Sequence, residues 1–344
     1  MRRGALVIRT DADPAIGIGH VGRTLALSAA WRQGGGTVRY VTTAPLSAGA
    51  RSWIASAGIE FEVIEAERYS DEDARQTAAR ATGATVVMDV FGTPRAYRTA
   101  LRSQVERLVI IDDTGGPGPW SADVIVNQNH GASAALYPQH EEGSALLLGP
   151  RFALLRPEFA RRRALGRRAE GRVHRIVVSL GGTDPKDVAS LVLSAFAALP
   201  ESGWRAILVA GAGNPRAAAL KARTAPLGRP VHVIRSPSSM ARLLAWADLA
   251  ILAGGVTVWE ALSLGVPVIG IAVADNQVPA AEALSRDGLW HFLGQVEEIG
   301  AAQVSDAIER LRADSGERRR LSAAGQALVD GRGAERVADV LARL

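Results

Sequence analysis

Near the N terminus a histidine stands in a glycine-rich stretch, Gly17-Ile18-Gly19-His20, preceded by two aspartates, Asp11 and Asp13. Imidazole titrates close to neutral pH, so His20 suits the role of a general base that takes a proton from water or another nucleophile. Asp11 is expected to orient or polarise it. Asp11-Ala12-Asp13 copies the D-x-D spacing of some metal sites. Backbone amides at a helix start can carry phosphate charge without a cation, however, so no metal is expected.

These residues need a strand before them and a helix after them. Ala5 to Arg9 is a short apolar run, and Val21 to Trp31 carries apolar residues at helical spacing, so the glycine stretch reads as a strand-to-helix loop bearing His20. Gly17 to Gly22 also fits the dinucleotide pattern G-x-G-x-x-G. That pattern needs its glycines directly after the strand and an acidic residue about 20 positions on. Here Thr10 to Ile16 intervene, and no Asp or Glu occurs between Asp13 and Glu60. A nicotinamide or flavin site is therefore rejected, and no cofactor is expected.

Apolar runs alternate with helical patterns along the chain, as in parallel sheets covered by helices. Strands are expected at Ala5–Arg9, Thr37–Thr42, Glu60–Ile64, Thr85–Asp89, Arg107–Asp112 and Asp123–Val126. The pattern restarts with Arg175–Leu180, Arg205–Ala210, Val231–Ile234, Asp248–Leu252 and Pro267–Ala272, followed by a helical tail from about Gly316. The 344 residues exceed what one core usually serves. The expected architecture is α/β, with two Rossmann-like, doubly wound domains facing across a cleft: residues 1–155, an arginine-rich linker 156–172, and 173–344, the C-terminal helix packing back on the first domain. Bilobal binding proteins share such periodicity, but they are exported.

Composition narrows the function. The chain has no cysteine, which excludes disulfides, thiol nucleophiles and thiolate metal sites. No long uncharged apolar run and no signal-like segment are seen, so no membrane span is expected and the location is expected to be cytoplasmic. The net charge is +5, yet Lys186 and Lys221 are the only lysines and the arginines are scattered. The dense run Arg161-Arg162-Arg163 with Arg167-Arg168 lacks interleaved aromatics, so nucleic acid is not an expected partner.

In the second half, Gly254-Gly255 ends a strand and opens a helix, and Thr257 adds a hydroxyl, a combination able to cradle a diphosphate. Glu260, expected in that helix's first turn, could accept hydrogen bonds from two ribose hydroxyls or complement the helix dipole, and the company it keeps favours the ribose. Asn276 and Gln277 follow the next strand, at the sheet edge where ligands of open α/β sheets bind, although such amides are also ordinary caps. Gly181-Gly182 opens the second half much as Gly17 and Gly19 open the first.

The motifs resemble those of the UDP-2,4-diacetamido-2,4,6-trideoxy-β-L-altropyranose hydrolases of pseudaminic acid biosynthesis and the related spore-coat polysaccharide proteins. The shared residues include Arg9-Thr10-Asp11-Ala12, Ile16 to Val21 with Arg23, Ile111-Asp112-Asp113, Asn127-Gln128-Asn129, Leu148 to Phe159, Ser179 to Pro185, Gly254 to Glu260 and Asn276-Gln277. The resemblance implies the GT-B architecture and metal-independent, inverting hydrolysis of a UDP-activated amino sugar. His20 would be the base, and Gly17, Gly19, Arg23, Phe91 and the second-half residues would hold substrate. The sequence departs from the family near the sugar: Phe91 stands for a tyrosine, Gly22 and Thr24 for methionine and cysteine, and Asp13 for a serine. A different sugar, or a small-molecule or glycan acceptor in place of water, is the alternative, which makes the chain a GT-B glycosyltransferase. A non-catalytic sugar-nucleotide-binding protein is a third reading.

Overall fold

A computed structural model of the chain describes residues 3–13, 17–90, 92–166, 171–200, 203–211 and 213–344. They form two compact units, Met1–Pro157 with Gly331–Leu344, and Glu158–Asp330. The first unit runs β1 (Ala5–Thr10), α1 (Gly19–Gln33), β2 (Thr37–Thr42), α2 (Ala48–Ser56), β3 (Glu60–Val63), α3 (Asp71–Ala79), β4 (Ala84–Asp89), α4 (Arg95–Arg102), β5 (Arg107–Ile111), β6 (Val124–Asn127) and β7 (Ala145–Leu148). Its parallel sheet has the order β3-β2-β1-β4-β5-β6-β7. The order reverses between β1 and β4, where Thr10 is in register with Asp89. Such a switch point opens a crevice at the carboxyl ends of the strands.

A parallel sheet must be covered on both faces, and side chains alternate along each strand. Leu6, Ile8, Val87 and Val109 accordingly pack in one core with Leu25, Leu27 and Trp31 of α1. Val7, Val86, Met88 and Leu108 pack on the other face, with Ala74, Tyr97 and Leu101. Burial on both faces is why these strands read as continuous apolar runs.

The second unit runs α5 (Pro157–Arg163), β8 (Arg175–Ser179), α6 (Val188–Ala198), β9 (Arg205–Val209), α7 (Ala217–Thr224), β10 (Val231–Ile234), α8 (Met240–Trp246), β11 (Leu249–Ala253), α9 (Val256–Ser263), β12 (Val268–Ala272), α10 (Val278–Arg286), β13 (His291–Gln295), α11 (Ala301–Ala313) and α12 (Ser315–Leu328). Its parallel sheet has the order β10-β9-β8-β11-β12-β13. The chain closes with α13 (Gly333–Leu341).

Three features differ from the sequence reading. The edge strands β7 and β13 are additions to it: Ala145-Leu146-Leu147-Leu148 lacks β-branched residues, and β13 is only half-buried and contains Gly294. The helical tail breaks after α12, where Gly331 adopts a φ of 81°. Beyond the break, Val337, Ala338 and Leu341 of α13 are buried in the first unit's core, and a Cβ on Gly333 would come within 2.3 Å of the Ala153 carbonyl oxygen. Finally, the segment read as a linker begins with a helix. Arg163, at the end of α5, donates to the carbonyls of Ser263 (2.7 Å) and Gln326 (2.9 Å), which ties α5 to the second unit. Among the described residues, no helix is long and apolar enough to cross a membrane.

Candidate functional site

The turn out of β1 places His20. Gly17, at a φ of 80°, swings the chain into α1, and the amide of Gly22 donates to the carbonyl of Ile18 at 3.0 Å, so the helix winds from there. Gly19 opens α1, and His20 lies in its first turn rather than on the loop. One turn on, Arg23 falls on the same helix face as His20. Both reach across the switch point to Asp89, the last residue of β4.

Asp89 is fully buried, and its Oδ1 accepts from His20 Nδ1 at 2.6 Å and from Arg23 Nη2 at 2.7 Å. Its Oδ2 accepts from Arg23 Nε at 2.8 Å. Burial alone would push the Asp89 carboxyl up, but Arg23 and His20 overcome it and hold the group at about 2. Asp89 is therefore an anion at neutral pH, and the network assigns the proton to His20 Nδ1, leaving Nε2 as the basic nitrogen. The His20 side chain is 13% exposed, which keeps the ring at the surface of the crevice. A buried carboxylate behind a partly exposed imidazole is the arrangement that orients a general base and stabilises the imidazolium formed when it takes a proton.

This geometry corrects two expectations. Asp11 is turned away from the catalytic role: its Oδ2 accepts from Arg9 at 2.9 Å and its Oδ1 from the Thr43 amide at 2.9 Å, and Arg68 Nε lies 3.1 Å away. Arg9 is itself buried, donating twice to Asp73 at 2.8 Å, so Asp11 belongs to a structural ion-pair network. Arg68 also pairs with Asp13, so both carboxylates of the D-x-D spacing face a guanidinium. Arg23 is buried rather than aimed at substrate. Its Nη1 donates to Asp113 at 2.7 Å, and although burial opposes its charge, Asp113 and Asp89 hold the guanidinium well above its ordinary value. Phe91 lies outside the described residues.

Asp89 was not among the residues expected at the site. The available signal was an acidic residue closing an otherwise apolar strand next to the switch point. Asp112 and Asp113 follow β5 at the same edge. Asp112 accepts from the amides of Thr114 and Gly115 and from the Tyr137 hydroxyl, and burial pushes its carboxyl up.

In the second unit, the two glycine loops part ways. After β8, a Cβ on Gly181 or Gly182 would meet nothing within 4 Å, while the Gly182 carbonyl oxygen would lie 2.3 Å from a Cβ on Gly211 of a neighbouring turn. The start of α6 is already occupied: Asp184 accepts from the amides of Val188 (2.9 Å) and Ala189 (3.0 Å). Gly181 and Gly182 therefore do not open a vacant anion site at α6.

The start of α9 differs. Its N-cap, Gly255, has no side chain to bond the first-turn amides; its carbonyl accepts from the Val258 amide at 3.0 Å, which leaves the amides of Val256 and Thr257 at the helix start. A Cβ on Gly255 would meet nothing within 4 Å, so packing does not demand the glycine, and the open backbone can approach an anion. Gly254 has a different reason to be glycine: a Cβ there would lie 2.8 Å from Cβ of Gln277. Gln277 Oε1 accepts from the amides of Gly254 (3.3 Å) and Val273 (3.0 Å), so its carbonyl braces this turn. Asn276 sits on the adjoining single turn, Asp275–Gln277. Thr257 is the second residue of α9 and half-buried. Glu260 is the fifth and buried, beyond the first turn, where a helix-dipole role fades.

Residues 175–327 match the Glycosyltransferase family 28 C-terminal domain. The chain is 27% identical over 261 residues to the spore coat polysaccharide biosynthesis protein SpsG of Bacillus subtilis, covering 74% of this chain and 75% of that protein. It is 29% identical over 164 residues to the UDP-N-acetylglucosamine–N-acetylmuramyl-(pentapeptide) pyrophosphoryl-undecaprenol N-acetylglucosamine transferase of Azotobacter vinelandii, covering 44% of this chain and 46% of that one. In three dimensions it is similar to MurG of Acinetobacter baumannii, with a TM-score of 0.69 at 15% identity over 99% of this chain and 100% of that one. The chain thus has the GT-B fold of two Rossmann-like domains, and its second domain is similar to the C-terminal domain of glycosyltransferase family 28.

Proposed function

We propose that the protein is a nucleotide-sugar-dependent glycosyltransferase that takes a UDP-activated sugar and passes it, with inversion, to a hydroxyl or amine of a small molecule or glycan. The observation that carries this reading is the family 28 match, which spans the β11–α9 turn. The uncapped start of α9 would receive the diphosphate, with Thr257 beside it and Glu260 accepting from the ribose hydroxyls. Gly254 and Gln277 would shape the turn, and Asn276 would border it.

In the first unit, His20 would remove a proton through Nε2 as the acceptor oxygen or nitrogen bonds to the anomeric carbon. The bond from that carbon to the β-phosphate oxygen breaks, and its electron pair leaves with UDP. The imidazolium formed would be stabilised by Asp89, itself held ionised by Arg23. A general base contributes about 10²- to 10⁴-fold. The phosphate charge is met by amides at α9, so the reaction needs no divalent metal.

Acceptor dependence tests the reading. A panel of UDP-sugars is incubated with and without candidate acceptors, and UDP and glycoside products are followed by chromatography. Transfer predicts UDP release that rises steeply with one acceptor class and yields a glycoside. Efficient acceptor-free release, above all from the pseudaminic precursor, would replace transfer by hydrolysis with the same base. UDP binding without turnover of any sugar would favour the non-catalytic alternative.

A further inference from the structure

At the first unit's carboxyl edge, Arg23 joins the catalytic dyad to a second carboxylate. One of its terminal nitrogens lies 3.2 Å from His20 Nδ1 and 2.7 Å from Asp89, and the other donates to Asp113 at 2.7 Å. Asp113 and His20 therefore contact the same guanidinium, which is itself buried. Among the described residues, the side-chain contacts to Asp113, from Arg23 and from Asn129 Nδ2 (3.3 Å), go to Oδ1. Asn129 Nδ2 also donates to the Asp113 carbonyl at 3.0 Å, which pins the loop after β5. With 23% of its side chain exposed, Asp113 offers its second oxygen to whatever group enters next to His20.

Arg23 answers both Asp89 and Asp113, and Arg68 answers both Asp11 and Asp13, so each guanidinium is shared by two carboxylates. Arg9 is likewise shared, by Asp73 and Asp11. Three guanidinia, Arg9, Arg23 and Arg68, are thus shared by five carboxylates, Asp11, Asp13, Asp73, Asp89 and Asp113.

We propose that Asp113 is a specificity-determining residue of this site: its Oδ2 accepts a hydrogen bond from an N–H or O–H group of the sugar-side substrate, favouring amine-bearing sugars and excluding carboxylate-bearing ones. This rests on the reading of His20 as the reacting base, since it places the selected group next to that ring. A carboxylate brought here would meet the like charge of Asp113 in a partly desolvated site, whereas an ammonium gains a charge-assisted bond.

The probes are glucosamine, glucose and glucuronate, titrated against the UDP-saturated full chain while the His20 imidazole signals are followed by NMR, with the His20→Asn protein supplying the assignment. In the wild type, glucosamine should perturb the ring at concentrations about tenfold or more below those needed for glucuronate, the scale of one hydrogen bond to a charged group. Asp113→Asn should erase most of that ratio, and Asp113→Glu should keep its direction. An equal response to glucosamine and glucuronate in the wild type would overturn the proposal, as would an unchanged ratio in a folded Asp113→Asn protein. UDP affinity and UDP-sugar turnover are measured on the same samples. Their absence would count against the transferase reading, while the imidazole titration still decides the role of Asp113.

Discussion

Replacing Asp89 with Asn takes one accepting oxygen out of the dyad at almost constant volume. Oδ1 of Asp89 accepts from both His20 and Arg23, and Oδ2 accepts from Arg23 Nε. An asparagine has only one accepting oxygen. If that oxygen takes the Oδ1 place, its NH₂ faces Arg23 Nε–H. If it takes the Oδ2 place, its NH₂ faces His20 Nδ1 and forces the proton to Nε2, which abolishes the base. Arg23 loses one of its two bonds to this side chain either way, and in both arrangements a donor meets a donor. Turnover should fall by about 10²- to 10⁴-fold, the usual contribution of a positioned base. Breaking a buried ion pair costs about 3–5 kcal/mol, and the retained Asp113 partner puts the loss in stability at the lower end. The assay is UDP release at saturating donor, with UDP affinity measured by calorimetry and folding by thermal melting. Asp11→Asn is the control: it disturbs the Arg9 and Arg68 network and leaves the dyad intact, so its effect on turnover should be the smaller. Near-wild-type turnover in folded Asp89→Asn protein, or a larger loss in Asp11→Asn, would refute this assignment.

Three further outcomes are expected. Asp89 is held at about 2 against an ordinary 3.8, so its contribution is present above the ordinary carboxylate range and lost as pH falls through 3.8 towards about 2. That shift corresponds to about 2 kcal/mol. Urea unfolding at pH 7 and pH 3 should show a loss on acidification that is smaller by about 1 kcal/mol in Asp89→Asn, about half of the full amount, because the folded-state carboxyl is still mostly ionised at pH 3. Glu260→Ala should weaken UDP binding by roughly 1–3 kcal/mol, as expected for lost hydrogen bonds to a charged group, and calorimetry giving unchanged affinity would move the ribose elsewhere. Turnover should persist in excess EDTA, and a loss that divalent metal restores would overturn the helix-terminus account of phosphate binding.

The two sheets were legible because strands covered on both faces leave continuous apolar runs, as in Leu6-Val7-Ile8 and Val177-Val178. Of the edge strands, β3 and β10 were legible and β7 and β13 were not: Ala145-Leu146-Leu147-Leu148 is apolar but lacks β-branched residues, and β13 is half-buried and interrupted by Gly294. His20 stood out from its glycines, but its partner did not, since Asp11 is near in sequence while Asp89 is near only across the β1–β4 register. Arg23 could be recognised as belonging with His20 from their spacing, though not as a buried clamp, because the carboxylates it holds lie 66 and 90 residues away. The roles of Gly181 and Gly254 were also hidden. Similar glycine turns stand in different settings here: one precedes a helix already capped by Asp184, and the other accommodates Gln277 next to the open start of α9.

On the proposed reading, His20 is the base in a reaction of a UDP-activated sugar. The most direct test of this reading is the parallel determination of UDP-sugar turnover and UDP affinity for the wild type and His20→Asn. Turnover should be lower by about 10²- to 10⁴-fold in His20→Asn, with UDP affinity unchanged. Turnover close to wild type in the folded variant would contradict the reading.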